Sequence, residues 1–345
     1  METLEIKKIA ESIVSAENNR RSLADFIKTI SLQFNLIKKV EPASLENMKI
    51  AGIDGGIVKT SLHGYDLVLA RAVGVCFHFK KNRVEKVDYY PSKFAPSKPF
   101  ALEASSEIDF VYFSSIIRQQ IEIQRAIDCL EKFSPDVLLL DGSIVPHYMS
   151  KPAKTSEVYS EYEKLIDLYK KFYEKIEESK TVLAGIVEDS RNDRFCKLLG
   201  KHVMPKLENV TGAAIASLEK SRDTNLLFWV LDKNERTQTF SYSDDENLTL
   251  KELNKNVYSF YIKTAKYDRP VRVDFLEKDK EDLLAGMLLS ITGQHSGYGF
   301  PTVLIEADNV AKLSEQEIDN FYSFILKYTG NLPSIMRLRR DQRPF

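Results

Sequence analysis

Long hydrophobic runs are missing from this chain. No apolar stretch approaches the ~20 residues that cross a bilayer, and the opening METLEIKKIAESIVSAENNRR is too charged for a signal peptide. Cysteine is scarce: Cys76, Cys129 and Cys196 are odd in number and far apart, with no CxxC or Cys/His zinc spacing. A disulfide framework is therefore not expected, and a soluble, cytoplasmic protein with no membrane contact is. Neither sign of charge prevails, since 49 Lys and Arg face 50 Asp and Glu for a net charge of −1. That balance excludes a chain coated in basic residues, but a local basic groove would still serve nucleic acid. No Ser/His/Asp or Cys/His arrangement suggests a covalent nucleophile. Of His63, His78, His147, His202 and His295, only His295 in GQHSGYGFP merits a test.

What is present is a core-forming α/β pattern. The 345 residues are 43% hydrophobic, and the length alone suggests roughly two domains. Residues 4–40 carry apolar positions at helical spacing, predicting one or two amphipathic helices as an N-terminal embellishment or oligomer contact. MKIAGIDGGIV and YDLVLARAVGVCFHF then predict consecutive strands separated by SLHG. YYPSKFAPSKPF, with three prolines, predicts a loop. Residues 105–133 predict a helix stopped at Pro135, followed by the buried strand DVLLLDGS, a helix over 159–178 and the buried strand TVLAGIVEDS. RNDRFCKLL is expected to start the next helix. Further strands are expected at NLLFWVL, VYSFYIK, VRVDF and TVLIEA, and helices at KDKEDLLAGMLLSITG and SEQEIDNFYSFILKYTG. A mixed sheet flanked by helices is the simplest arrangement.

Acidic residues sit where that pattern would expose chemistry. Asp54 follows IAGI in the middle of an apolar strand, Asp141 follows VLLL, Asp189 follows GIVE, and Glu122 lies within IIRQQIEIQRAI. Carboxylates from separate strand ends can meet on one edge of an α/β sheet, and oxygen clusters suit Mg²⁺ or Mn²⁺. Two such ions about 3.5–4 Å apart can stabilise the attacking and leaving oxygens of a phosphodiester. Each acid also has an ordinary role open to it. Asp141 could open an Asp-Gly turn, Asp189 could cap a helix, and Glu122 could pair with Arg118 and Arg125 on a helix surface. Asp54 is the hardest to explain in this way, because an uncompensated carboxylate in a buried strand is costly. Gly55 and Gly56 match no phosphate-binding loop; they either let a ligand approach the backbone or mark a bulge.

IAGIDGG, IRQQIEIQRA, LLLDGS, GIVEDSR and GFPTVLIEADNVAKLS, in that order, resemble the NurA nuclease family over nearly the whole chain from about Lys49. The resemblance implies an RNase H-like fold, Mn²⁺-dependent cleavage of DNA with Mg²⁺ as the alternative ion, and a toroidal homodimer. It also implies partnership with a hexameric HerA-type ATPase in processing DNA ends, with 5′ to 3′ exonuclease and single-strand endonuclease activity. By motif position, Asp54, Glu122, Asp141 and Asp308 match catalytic and metal-ligating positions, and Asp189 a further metal position. An N-terminal helical region would then span 1–45, the nuclease domain 46–330 and a basic tail 331–345. The last motif departs from the family pattern. Phe300-Pro301 stands for the usual Tyr-Pro, and Asp308 stands for a histidine seven residues after the proline, with Tyr298 a possible substitute hydroxyl. Glu188 takes a position where a lysine is expected.

Positive charge for DNA is concentrated in RNDRFCKLLGKHVMPK, which has five Lys/Arg against one Asp, and Arg191, Arg194, Lys197 and Lys201 are its candidate phosphate contacts. The tail RLRRDQRPF adds four arginines that could dock on a partner. Some of the 16 Tyr and 19 Phe could stack on unpaired bases. Two rivals to the nuclease reading stand beside it: a weakly active or inactive DNA-binding clamp for the ATPase, favoured by Phe300 and Asp308, and an RNase H-like enzyme acting on RNA.

Overall fold

The structure is a computed structural model that describes residues 2–103, 106–146, 150–208, 210–242, 248–292 and 295–339. His147 and the arginines of the tail from residue 340 onward lie outside these. The N-terminal periodicity forms one helix, α1 (Glu2–Phe34), followed by the short β1 (Ile37–Lys39). The β-branched runs form β2 (Lys49–Ser61) and β3 (Tyr65–Lys80), paired antiparallel along all of β2 with Asp54 opposite Val73. β4 (Arg83–Tyr90) and β5 (Lys98–Glu103) both pair with β3, so the proline-rich stretch expected to be loop is loop only between them. α2 (Glu107–Phe133) opens on Ser106, whose hydroxyl accepts from the Asp109 N–H, and closes at left-handed Ser134 just before Pro135. β6 (Val137–Asp141) is buried up to its last residue, and α3 (Tyr159–Glu177) and β7 (Val182–Val187) continue the alternation.

Two expected strands are helices. After α4 (Arg194–His202) and α5 (Gly212–Lys220), NLLFWVL lies in α6 (Asp223–Val230), with Leu226, Leu227 and Val230 buried at helical spacing. β8 (Glu235–Thr237), β9 (Phe240–Ser241), α7 (Leu248–Leu253), β10 (Tyr258–Lys263), β11 (Val271–Phe275) and α8 (Glu281–Ile291) follow. TVLIEA then opens α9 (Thr302–Ala311), which buries Val303, Leu304, Ala307 and Ala311 along one stripe. A short apolar run carries too little periodicity to separate a strand from a buried helix, which is why both resemble strands in sequence. α10 (Glu315–Thr329) starts with a capping box between Ser314 and Glu317.

The chain divides into two compact units, each assembled from separate segments: residues 1–44, 185–244 and 256–301 form one, and 45–184, 245–255 and 302–345 the other. In the second unit β4, β3, β2 and β6 lie side by side, with β6 parallel to β2 and the rest antiparallel. The parallel register sets Ile53 against Leu140, which brings the next residues, Asp54 and Asp141, level with each other. In the first unit β1, β8, β10 and β11 are neighbours, and the C-terminal half of α1 packs Leu23, Ala24, Ile27 and Ile30 against α4, α5 and α6. Its N-terminal half leaves Leu4, Ile6, Ile9 and Ile13 exposed. This unit also buries charge. Asp223 accepts from the Phe195 and Cys196 N–H groups at 3.0 and 2.9 Å and from the Tyr261 hydroxyl at 2.9 Å. Arg272 grips Asp274 through two bonds of 2.9 Å. The three cysteines are free and buried, and among the described residues no helix is long and apolar enough to cross a membrane.

Candidate metal centre

The glycines of β2 set the geometry around Asp54. A Cβ on Gly52 would meet Val303 and Leu304 at 3.1 Å, and one on Gly56 would lie 2.2 Å from the Ala311 carbonyl oxygen. Both residues thus face α9. Strand alternation puts Asp54 on that same side, where its carboxyl reaches hydrogen-bonding distance of Asp308. Gly55 faces the opposite way. A Cβ there would fall 2.5 Å from Oε1 of Glu122, so the absent side chain is what lets α2 bring this carboxylate against the strand. Close helix approach accounts for the glycines, and no bulge interrupts the pairing of β2 with β3 at these positions.

The acids share one cation. Arg118 donates from Nε to Glu122 Oε1 at 2.6 Å and from Nη2 to Asp54 Oδ1 at 3.4 Å, and Asp141 adds to the negative field around it. Asp54 is 4% exposed, and its Oδ1 also accepts from the Gly55 N–H at 2.7 Å. Burial pushes its carboxyl up to about 6, with Arg118 and the Gly55 amide opposing and Asp308 reinforcing the rise. Glu122 rises to about 8, again through burial first, with Arg118 opposing and Asp54 and Asp141 adding to it. Of the two ion pairs expected for Glu122, the one with Arg118 forms, but against β2 rather than on a solvated face, while Arg125 turns instead to Asp128 at 2.9 Å and the Ala72 carbonyl at 3.1 Å.

Among the described residues no three acidic, histidine or cysteine side chains are already drawn to metal-ligating distance. The donor set nonetheless fits a hard cation. Asp54, Glu122, Asp141 and Asp308 offer only oxygens, and the two innermost, Asp54 and Glu122, divide the Arg118 guanidinium between them. Asp141 is half-buried at the end of β6, followed by Gly142 at φ 108°, so the Asp-Gly turn and a place beside Asp54 occur together. Asp308 lies on the exposed side of α9.

The NurA domain model matches residues 48–313. The chain belongs to the NurA family. The crystal structure of the NurA nuclease from Sulfolobus solfataricus superposes with a TM-score of 0.59 at 15% identity, covering 94% of this chain and 99% of that one. A second NurA crystal structure gives 0.53 at 11% identity, covering 96% and 99%. A search of curated proteins returned no match. At these identities the likeness to solved structures speaks for the fold, which is the RNase H-like mixed sheet flanked by helices.

Other positions expected from the NurA pattern behave differently. Asp189 belongs to the first unit, is largely exposed and pairs with Arg269 at 2.6 Å. Phe300 is buried, and the nearby Tyr298 hydroxyl is hydrogen-bonded to Glu188, whose carboxyl is raised chiefly by burial. His295 uses Nδ1 to accept from the Gly297 N–H at 3.1 Å. Arg191 and Lys201 are exposed, Arg194 is half-buried, and Lys197 is exposed but paired with Asp193 at 3.0 Å. Lys197 and Lys201 line a cavity of about 620 Å³ with Cys196, Met204, Ile215 and Leu218. Arg337 and Asp319, both in the second unit, pair with each other. Arg118 was missed as a member of the cluster. Its position four residues before Glu122 was the available signal, but its reach to Asp54 depends on how α2 packs on β2.

Proposed function

We propose that this chain is a divalent-metal-dependent deoxyribonuclease whose metal ligands are Asp54, Glu122, Asp141 and Asp308. The observation that carries the reading is a buried aspartate on a glycine-flanked strand, level with Asp141, beside Glu122 and within reach of Asp308. Membership of a nuclease family agrees with that chemistry. Asp54, the most central acid, would hold the metal together with Glu122 and Asp141. Asp308, at the exposed rim, is the ligand closest to an arriving strand. Mn²⁺ is the assigned ion and Mg²⁺ its alternative; bound there, such ions stabilise the charge that develops during phosphodiester hydrolysis. Arg191, Arg194, Lys197 and Lys201 supply positive charge to the phosphate backbone.

Cleavage in the 5′ to 3′ direction and cutting within single strands, as part of DNA end processing with a HerA-type hexameric ATPase, form the finer part of the reading. So does a homodimer, for which the exposed apolar positions of α1 offer a surface. Labelled single-stranded DNA incubated with Mn²⁺ tests the enzyme, with Asp54→Ala and matched RNA alongside. The reading requires DNA cleavage that Asp54→Ala abolishes; equal, negligible cleavage by both proteins would overturn it in favour of a clamp. A solution mass of about twice 39.5 kDa tests the dimer.

A further inference from the structure

Among the described residues, Arg118 is the cation bonded to the two innermost acids of the cluster. Its Nε bond to Glu122 is short, at 2.6 Å, and its Nη2 reaches the Oδ1 of Asp54 that also accepts the Gly55 amide. Those oxygens are the ones a cation at this site would need. A guanidinium and a divalent ion at the same oxygens also repel each other, and in a desolvated site that repulsion is weakly screened. The remaining requirement is somewhere for the arginine to go. The Arg118 side chain is 40% exposed, while its partners Glu122 and Asp54 are 15% and 4% exposed. It therefore reaches in from the rim, and a change of rotamer can return its head to water without moving α2.

We propose that Arg118 is a positioning residue that competes with the divalent cation for Asp54 and Glu122, holding both carboxylates in register and yielding those oxygens when the metal binds. The inference rests on the metal-site reading above. It differs from a purely structural ion pair in the sign of one effect. If Arg118 only scaffolds the acids, removing it disorders them and weakens metal binding. If it competes, removing it strengthens metal binding.

The test is calorimetric titration of Mn²⁺ into chelator-treated full-length protein without DNA. The parent chain, Arg118→Gln, Arg118→Lys and Asp54→Ala are compared, with circular dichroism to establish folding. Arg118→Gln is expected to bind Mn²⁺ about tenfold more tightly than the parent through loss of the competing charge. Arg118→Lys keeps the charge but loses the fork, so it is expected to fall between the two. Should the glutamine variant fail to fold, the lysine variant decides alone, and affinity equal to or below that of the parent overturns the proposal. Parent binding that Asp54→Ala abolishes, with no gain in Arg118→Gln, sinks the competition and leaves the metal site standing. No binding by any of the four proteins removes both.

Discussion

Each unit of the chain buries acids, and the two arrangements are built differently. In the first unit Asp223 is matched donor for acceptor: two amides at the start of α4 and the Tyr261 hydroxyl meet its oxygens, and Arg272 closes on Asp274 with both prongs. In the second, Asp54 and Glu122 share one arginine, Asp141 adds to the field around it, and Asp308 lies against Asp54. The first is a finished network in which the buried charge fastens a helix N-terminus. The second divides one guanidinium between its two innermost acids, and burial still raises both of them. Burial of an acid therefore marks no site by itself; several acids brought together around a divided cation do.

The two clusters should respond to mutation in opposite ways. The largest expected effect is on cleavage: Glu122→Gln should lower DNA hydrolysis about a thousandfold, equivalent to about 4 kcal/mol of transition-state stabilisation, while leaving the melting temperature unchanged or raised. A steep fall in stability instead would place Glu122 with the structural acids. Asp223→Ala should do the reverse. Two buried amides and a hydroxyl would lose their acceptor, and denaturant titration should show a loss of about 3 kcal/mol. If that variant proves as stable as the parent, the contrast between the clusters is lost.

Smaller effects sharpen the comparison. Gly55→Ala pushes a methyl toward the Glu122 carboxyl, and overpacking of this kind costs about 1–3 kcal/mol. Mn²⁺ affinity should fall with it, as calorimetry can show; unimpaired metal binding would mean that the contact of Glu122 with β2 is dispensable. The gentlest test varies pH in the presence of a chelator. Glu122 ordinarily loses its proton near 4.5 but holds it to about 8 when folded. Between those values the folded chain binds a proton that the unfolded chain has released, so stability should decline as pH rises through this window. One such group contributes at most about 1.4 kcal/mol per pH unit. Melting curves across the window should show that decline in the parent and a flatter profile in Glu122→Gln.

Much of the second unit is legible in the sequence because its elements announce themselves locally. The long β-branched runs of β2 and β3, the apolar VLLL of β6 and the amphipathic α2 each carry a clear period or a clear stop. The oddity of Asp54 is legible too, since no local structure explains an acid inside an apolar run. What stays hidden depends on partners distant in sequence. NLLFWVL and TVLIEA are too short to show their helical period, so α6 and α9 read as strands, and the helical setting of Asp308 stays hidden with them. Asp223 gives no local sign of its role, which appears only when α4 and Tyr261 arrive around it. Arg118 looks like half of a routine i, i+4 pair until packing brings Asp54 within 3.4 Å.

By itself, then, the amino-acid order determined where strands and helices of clear period begin and end, and which acids sit at their buried edges, because those properties depend on neighbours a few residues away. Tertiary structure alone decided that β6 sets Asp141 level with Asp54, that missing side chains at Gly52, Gly55 and Gly56 let α9 and α2 close on β2, and that one guanidinium serves two acids. Such relations join residues up to 255 positions apart, as Gly56 and Ala311 are, and the electrostatics of a site grow from distance in space, which local sequence does not encode.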